Sequence, residues 1–225
     1  LKATYSQIFT DDPRLEEFRR VVRDISESLQ ESKMKIASSN CELTNQKYYL
    51  VVPTYFKPTQ IWPSQSFKET DLNFIKTVLN EIIVSDVGLV TRERVVRKHK
   101  IINNDDAKNI LGKLVEENYL IEPREGKYTL SALAINELEP YFHFTYKDVL
   151  KKCVFCKRIM FFGGFCQNCK SCGHFSCLSK FKESMRNKPA KCPSCNGEWI
   201  QDVTENMEHV LDYYGDIEDD ETECL

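Results

Sequence analysis

Cys153-Val154-Phe155-Cys156, Cys166-Gln167-Asn168-Cys169, His174-Phe175-Ser176-Cys177 and Cys192-Pro193-Ser194-Cys195 follow one another with nine, four and fourteen residues between successive pairs. Two zinc-binding side chains three residues apart sit on one tight turn with both donor atoms facing one point, so each pair supplies half of a tetrahedral site. Four half-sites make two Zn2+ ions. In an interleaved arrangement Cys153, Cys156, His174 and Cys177 hold the first ion, and Cys166, Cys169, Cys192 and Cys195 hold the second. That ties together a segment too small for a substantial apolar core, so the metal becomes its core. Disulfides, two independent zinc knuckles, or chance clustering are the alternatives. Nine of the ten cysteines follow residue 150, eight of them between Cys153 and Cys195, and C-x-x-C pairs at this spacing argue for metal.

Working outward, the rest of the 225-residue chain is long enough for two or three small domains, and 41% apolar residues is ordinary for a globular protein. No apolar run approaches the roughly 20 residues that span a bilayer, and Leu1 is not followed by a signal-peptide pattern. We therefore expect a soluble intracellular protein with no membrane partner. Residues 202–225 carry ten Asp and Glu and no Lys or Arg, which leaves 31 basic against 24 acidic residues, formally +7, in the body of the chain. Seven thiolates with two divalent ions would bring that body near +4, a weak pointer toward nucleic acid.

Before the cysteines, apolar residues Leu15, Phe18, Val21, Val22, Ile25 and Leu29 recur at three- and four-residue intervals and predict a helix over 13–30 with one buried face. Two strand-like runs follow, Met34–Ala37 and Tyr48–Val52, separated by the polar stretch Ser38–Gln46. A helix and hairpin are the back half of a winged helix, so residues 1–54 read as a first winged-helix unit without its leading helices. Pro58 and Pro63 mark 55–69 as a linker. Thr70 or Asp71 caps a helix bearing Leu72, Phe74, Ile75, Val78, Leu79, Ile82 and Ile83, and Gly88 marks its exit. Helices from Thr91 to about Lys98 and from Asn104, strands at Tyr119–Glu122 and Lys127–Leu130, and a last helix from Ser131 to about Tyr141 complete a second winged helix over 70–145. The fold class is thus α+β: tandem winged helices, the first incomplete, then a zinc domain over 150–201 and an acidic, low-complexity tail over 202–225.

Seven cysteines and one histidine, with histidine fifth, suit both the RING and the PHD zinc fingers. Pro193 between Cys192 and Cys195 resembles a RING finger, and a PHD finger would place an aromatic where Ala190 stands. Phe155 and Phe181 occupy the positions where RING fingers seat a ubiquitin-conjugating enzyme together with that proline, although packing inside a small domain accounts for them equally well. Ser171-Cys172-Gly173-His174-Phe175-Ser176-Cys177 also imitates the middle of an ordinary RING finger. In that register the residue three after Cys177 should be a ligand, and it is Lys180. Cys169 is therefore taken as the ligand and Cys172 as a spare thiol.

Asn118-Tyr119-Leu120-Ile121-Glu122, Gly126-Lys127-Tyr128-Thr129-Leu130 and Cys192-Pro193-x-Cys195-x-x-x-Trp199 complete the pattern. Over about Leu15 to Ile200 the chain resembles the RING-bearing non-SMC subunit family of the SMC five/six genome-maintenance complexes. The resemblance implies a MAGE-like partner and a kleisin partner, a nuclear, chromosome-associated location, a role in DNA repair, and RING-type ubiquitin-ligase activity stimulated by the MAGE-like subunit. A non-enzymatic scaffold whose zinc domain is a protein platform is the alternative. Asn196 favours it, because active RING fingers often carry a basic residue directly after the eighth ligand. No nucleophile is expected; Cys41, Cys172 and Cys224 read as spare thiols, and His99, His143 and His209 as surface or packing residues.

The one concentrated cationic run is Arg92, Arg94, Arg97, Lys98 and Lys100 against Glu93. On one helix these residues cannot share a single face, so a solvated surface competes with a DNA contact. A contact there would be to phosphate, without sequence preference.

Overall fold

A computed structural model describes residues 14–55, 67–185 and 189–199; the acidic tail and most of the expected linker lie outside them. Helix α1 (Arg14–Ser28) leads into an antiparallel hairpin, β1 (Met34–Asn40) and β2 (Lys47–Pro53), with Met34 opposite Pro53 and Asn40 opposite Lys47. Phe18 meets Tyr49 edge-on with ring centroids 5.0 Å apart. Val21 and Ile25, counted in the predicted buried stripe, stand about half open, each 46% exposed. The apolar face of α1 is wider than the hairpin it lies on.

The β1–β2 turn departs most from expectation. The stretch that reads as a polar separator holds Cys41 and Leu43, both buried, and the Cys41 amide donates to Gln46 O at 2.9 Å to close the turn. The Cys41–Leu43 side of the turn is therefore packed inside the protein, while Thr44 to Lys47 stay exposed.

Helix α2 (Glu69–Val84) is capped at Lys68, two or three residues before the expected Thr70 or Asp71: Asp71 sits in its first turn and accepts from the Lys68 amide at 3.1 Å. After it come β3 (Val90–Thr91), α3 (Arg92–His99), α4 (Asn104–Glu116), β4 (Leu120–Arg124) and β5 (Lys127–Leu130). Thr91 Oγ1 accepts from the Arg94 amide and Asn103 Oδ1 from the Asp106 amide, so both helices begin on a side-chain cap. The three strands form one antiparallel sheet in the order β3-β5-β4. β3 is too short to leave a periodic signal.

The single helix expected over 131–141 is two: α5 (Ala132–Glu137) and α6 (Glu139–Thr145). Pro140 has no amide hydrogen and restricts the residue before it, so the chain breaks and restarts at Leu138. α5 packs on β1 and β2, which joins the first hairpin to the central unit.

Two apolar cores result. Phe74, Val78, Ile82, Leu111, Leu114 and Phe142 build the first, which also takes in Ile159 and Phe161. Cys41, Leu43, Val87, Leu89, Phe162, Phe175, Leu178 and Trp199 build the second. No helix among the described residues is long and apolar enough to cross a membrane.

Candidate metal centre

Three of the four ligand pairs sit on the same backbone device. Cys153, Cys166 and Cys192 each accept, through the backbone carbonyl, from the amide four residues on: Lys157, Lys170 and Asn196 respectively. Those three residues take left-handed backbone, with φ of 64°, 60° and 58°. Isolated bridges Lys152–Ile159 and Lys191–Glu198 close two of the turns, and β6 (Gly164–Phe165) paired with β7 (Cys172–Gly173) closes the third. Such a tight turn puts its two sulfurs on one side. The fourth pair is different: His174 caps α7 (Phe175–Ser184), and Cys177 lies in that helix's first turn.

These elements gather the eight side chains into two groups of four, Cys153, Cys156, His174 and Cys177, and Cys166, Cys169, Cys192 and Cys195. Within each, the donor atoms lie within 4.8 Å of one another. The first and third pairs share one group and the second and fourth the other. No described cysteine is in a disulfide. Cys172 lies in neither group; its buried thiol donates to Lys152 O at 3.3 Å, and burial pushes its pKa up, keeping it protonated.

The donor set fits zinc. Four ligands at zinc's usual bond lengths of about 2.3 Å to sulfur and about 2.0–2.1 Å to nitrogen should stand about 3.8 Å apart for two sulfurs and about 3.6 Å for sulfur and nitrogen. Cys166 Sγ–Cys195 Sγ and Cys169 Sγ–Cys192 Sγ are each 3.7 Å, and His174 Nδ1 is 3.4 Å from Cys156 Sγ and 3.8 Å from Cys177 Sγ. Electrostatics agree. The Cys177 and His174 groups beside it hold Cys153 down to about 2 despite burial, while the same pairing pushes Cys177 the opposite way. His174 is buried, which disfavours its charge, yet Cys153 and Glu42 outweigh burial and hold it up to about 11. So many donors crowded together share protons unevenly, and a divalent cation would replace those protons.

Glu42, absent from the sequence-derived site, reaches this group from the β1–β2 turn. Its carboxylate stands 3.1 Å from His174 Nε2 and accepts from the Phe162 amide at 2.7 Å and the Phe161 amide at 3.2 Å. The only hint in the sequence is a charged residue between Cys41 and Leu43.

Phe155 and Phe181 are half-buried and meet at a tilt with 5.0 Å between centroids, with the buried Trp199 5.8 Å from Phe155, and Pro193 is exposed. In the cationic run Arg94 Nε bonds Glu81 Oε2 at 2.9 Å and Arg92 pairs with Glu93 at 3.1 Å, while Arg97, Lys98 and Lys100 are exposed. His99 packs edge-on against Phe74 at 5.4 Å and His143 faces Glu139 at 3.9 Å.

No protein-family model matches the chain. It is 29% identical over 197 residues to the non-structural maintenance of chromosomes element 1 homolog of Bos taurus, covering 85% of this chain and 71% of that one. To the homolog of Homo sapiens it is 32% identical over 142 residues, 61% of this chain and about half, 52%, of the human protein. Among solved structures, a chain of the Nse1-Nse3-Nse4 complex superposes with a TM-score of 0.73 at 26% identity, covering 87% of this chain and 83% of that one.

Proposed function

We propose that this chain, which belongs to the non-structural maintenance of chromosomes element 1 family, is the zinc-holding subunit of an SMC five/six assembly and acts there as a RING-type ubiquitin ligase. The observation that carries the reading is the interleaving of two complete four-donor groups. Each group is closed by four protein side chains, which leaves no open coordination position, so the two zinc ions would be structural rather than catalytic. Their chemistry is to hold the three turns and α7 in register.

The chain's own residues would do the rest. The half-buried Phe155 and Phe181, which touch each other, and the exposed Pro193 would seat a ubiquitin-conjugating enzyme. A RING ligase brings that charged enzyme to a substrate and forms no covalent intermediate, which agrees with a segment whose thiols are committed to metal or buried. Helices α2, α3 and α4 with the β3-β5-β4 sheet have the order of a winged helix, and α1 with its hairpin has that of the back half of another. The half-open Val21 and Ile25 on α1 suit a protein partner. The solved relative is one chain of an Nse1-Nse3-Nse4 complex, and its two companions there would correspond to the MAGE-like and kleisin partners of this chain. Arg97, Lys98 and Lys100 would add DNA contact without sequence preference. The location that follows is nuclear and chromosome-associated.

A specific observation favours a scaffold role as second reading: Asn196, where active RING fingers often carry a basic residue. Its φ of 58° is shared by Lys157 and Lys170, so the backbone accepts a long basic side chain there. Ubiquitin-chain formation by the full chain with a panel of conjugating enzymes, with and without the MAGE-like partner, tests the proposal. We expect partner-dependent chains, raised by Asn196→Arg. No chains under any condition, Asn196→Arg included, would leave the scaffold.

A further inference from the structure

The first metal group is finished from outside the zinc segment. His174 Nε2 has two neighbours, Glu42 Oε1 and Ile159 O, each at 3.1 Å. The carbonyl can only accept, and the Glu42 carboxylate, already accepting from the Phe161 and Phe162 amides, also acts as an acceptor. The proton of a neutral imidazole must then sit on Nε2. That leaves the Nδ1 lone pair aimed at the space it shares with Cys156 Sγ and Cys177 Sγ.

We propose that Glu42 is a positioning residue for this site: through His174 it fixes the ring's tautomer and orientation, and so makes the N-terminal hairpin part of the metal site. Histidines that bind a metal commonly pass their other N–H to a carboxylate, and losing that partner typically costs ~10–100-fold in metal affinity. Glu42 comes from 132 residues away in the chain and its side chain is only 7% exposed. A carboxylate this deeply buried persists only where donors satisfy it, and here they do: one imidazole and two backbone amides. The amides belong to Phe161 and Phe162, which sit in the two apolar cores. Glu42 is therefore held in place by two backbone amides before it meets the histidine. Cys41 and Leu43, on either side of it, are buried in the second core and fix the turn.

This rests on the zinc assignment proposed above, and the test separates the two. Zinc content of the full chain is measured first; fewer than two ions per wild-type chain would fault the assignment itself. Zinc release to a chromogenic chelator is then followed for wild type, Glu42→Gln and Glu42→Ala, with the four-thiolate group as the internal reference. We expect one ion to leave ~10–100-fold faster in Glu42→Ala, less so in Glu42→Gln, whose amide oxygen can still accept, and the other ion to be unaffected. After exchange with cadmium, the cadmium-113 resonance of the three-sulfur, one-nitrogen site should move while that of the four-sulfur site stays. Wild-type release from both sites in both variants would overturn the proposal. So would equal acceleration at both sites, because that is loss of structure rather than of positioning.

Discussion

Gly88 offers a sharp test of how the zinc segment is seated. It follows α2 with a φ of +70°, its amide donates to Ser85 Oγ at 3.1 Å, and its carbonyl accepts from Thr129 Oγ1 at 2.8 Å. A Cβ at this position would lie 2.1 Å from Phe161 O and 2.4 Å from Phe161 C. Gly88→Ala therefore meets two costs. Left-handed backbone for a residue with a Cβ is about 1–2 kcal/mol. Forcing apart packed groups adds about 1–3 kcal/mol, and the obstacle here is a main-chain carbonyl that no rotamer change can move. The sum, about 2–5 kcal/mol, corresponds to a Tm lower by roughly 4–20 °C at about 2–4 °C per kcal/mol for a chain of this size. Gly126→Ala isolates the first cost, because Gly126 has a φ of +74° and nothing within 4 Å of a new Cβ; we expect about 1–2 kcal/mol. Gly112→Ala, in α4 and equally unobstructed, should stabilise by roughly 0.5–1 kcal/mol. Thermal and urea denaturation of the metal-loaded protein measure all three. If Gly88→Ala were no worse than Gly126→Ala, the close approach of the 85–89 loop to Phe161 would be wrong.

Three further outcomes follow from the side-chain geometry. Cys169→Ser should lower zinc toward one ion per chain while Cys172→Ser keeps two, as elemental analysis would show; equal loss from both would reverse the ligand assignment. Arg94→Ala should cost stability, on the order of 2 kcal/mol for a partly buried ion pair, because it takes the guanidinium from the buried Glu81. Arg97→Ala with Lys98→Ala should leave stability unchanged and, if the pair touches DNA, flatten the salt dependence of binding by about 0.9 per phosphate contact. A stability loss in the double variant with none in Arg94→Ala would contradict this division of the cationic run.

The two clusters of four side chains were legible because such turns are local: a C-x-x-C turn aims its two sulfurs to one side whatever surrounds it. Helices α2 and α4 were legible from their apolar stripes. What escaped was set by distant contacts. β3 exists because β5 lies beside it, and two residues leave no periodicity. The break at Leu138 was available in Pro140, but the apolar pattern on both sides concealed it. The turn over 41–46 looks polar, and whether Glu42 faces water or a histidine depends on a partner 132 residues away. The cationic run showed the opposite failure, since charge density says nothing of Glu81 waiting beneath Arg94.

Phe161 and Phe162 are neighbours in the chain but stand in different apolar cores. Adjacent rings divided between two cores in this way act as a rivet through two plates. Neither core can loosen without pulling on the other, so the helical body and the metal-binding segment are mechanically one piece and not beads on a string. Metal occupancy would then be a property of the whole molecule: emptying the first group of an ion would slacken the segment that carries both rings, and the helical body would register the loss along with the zinc segment.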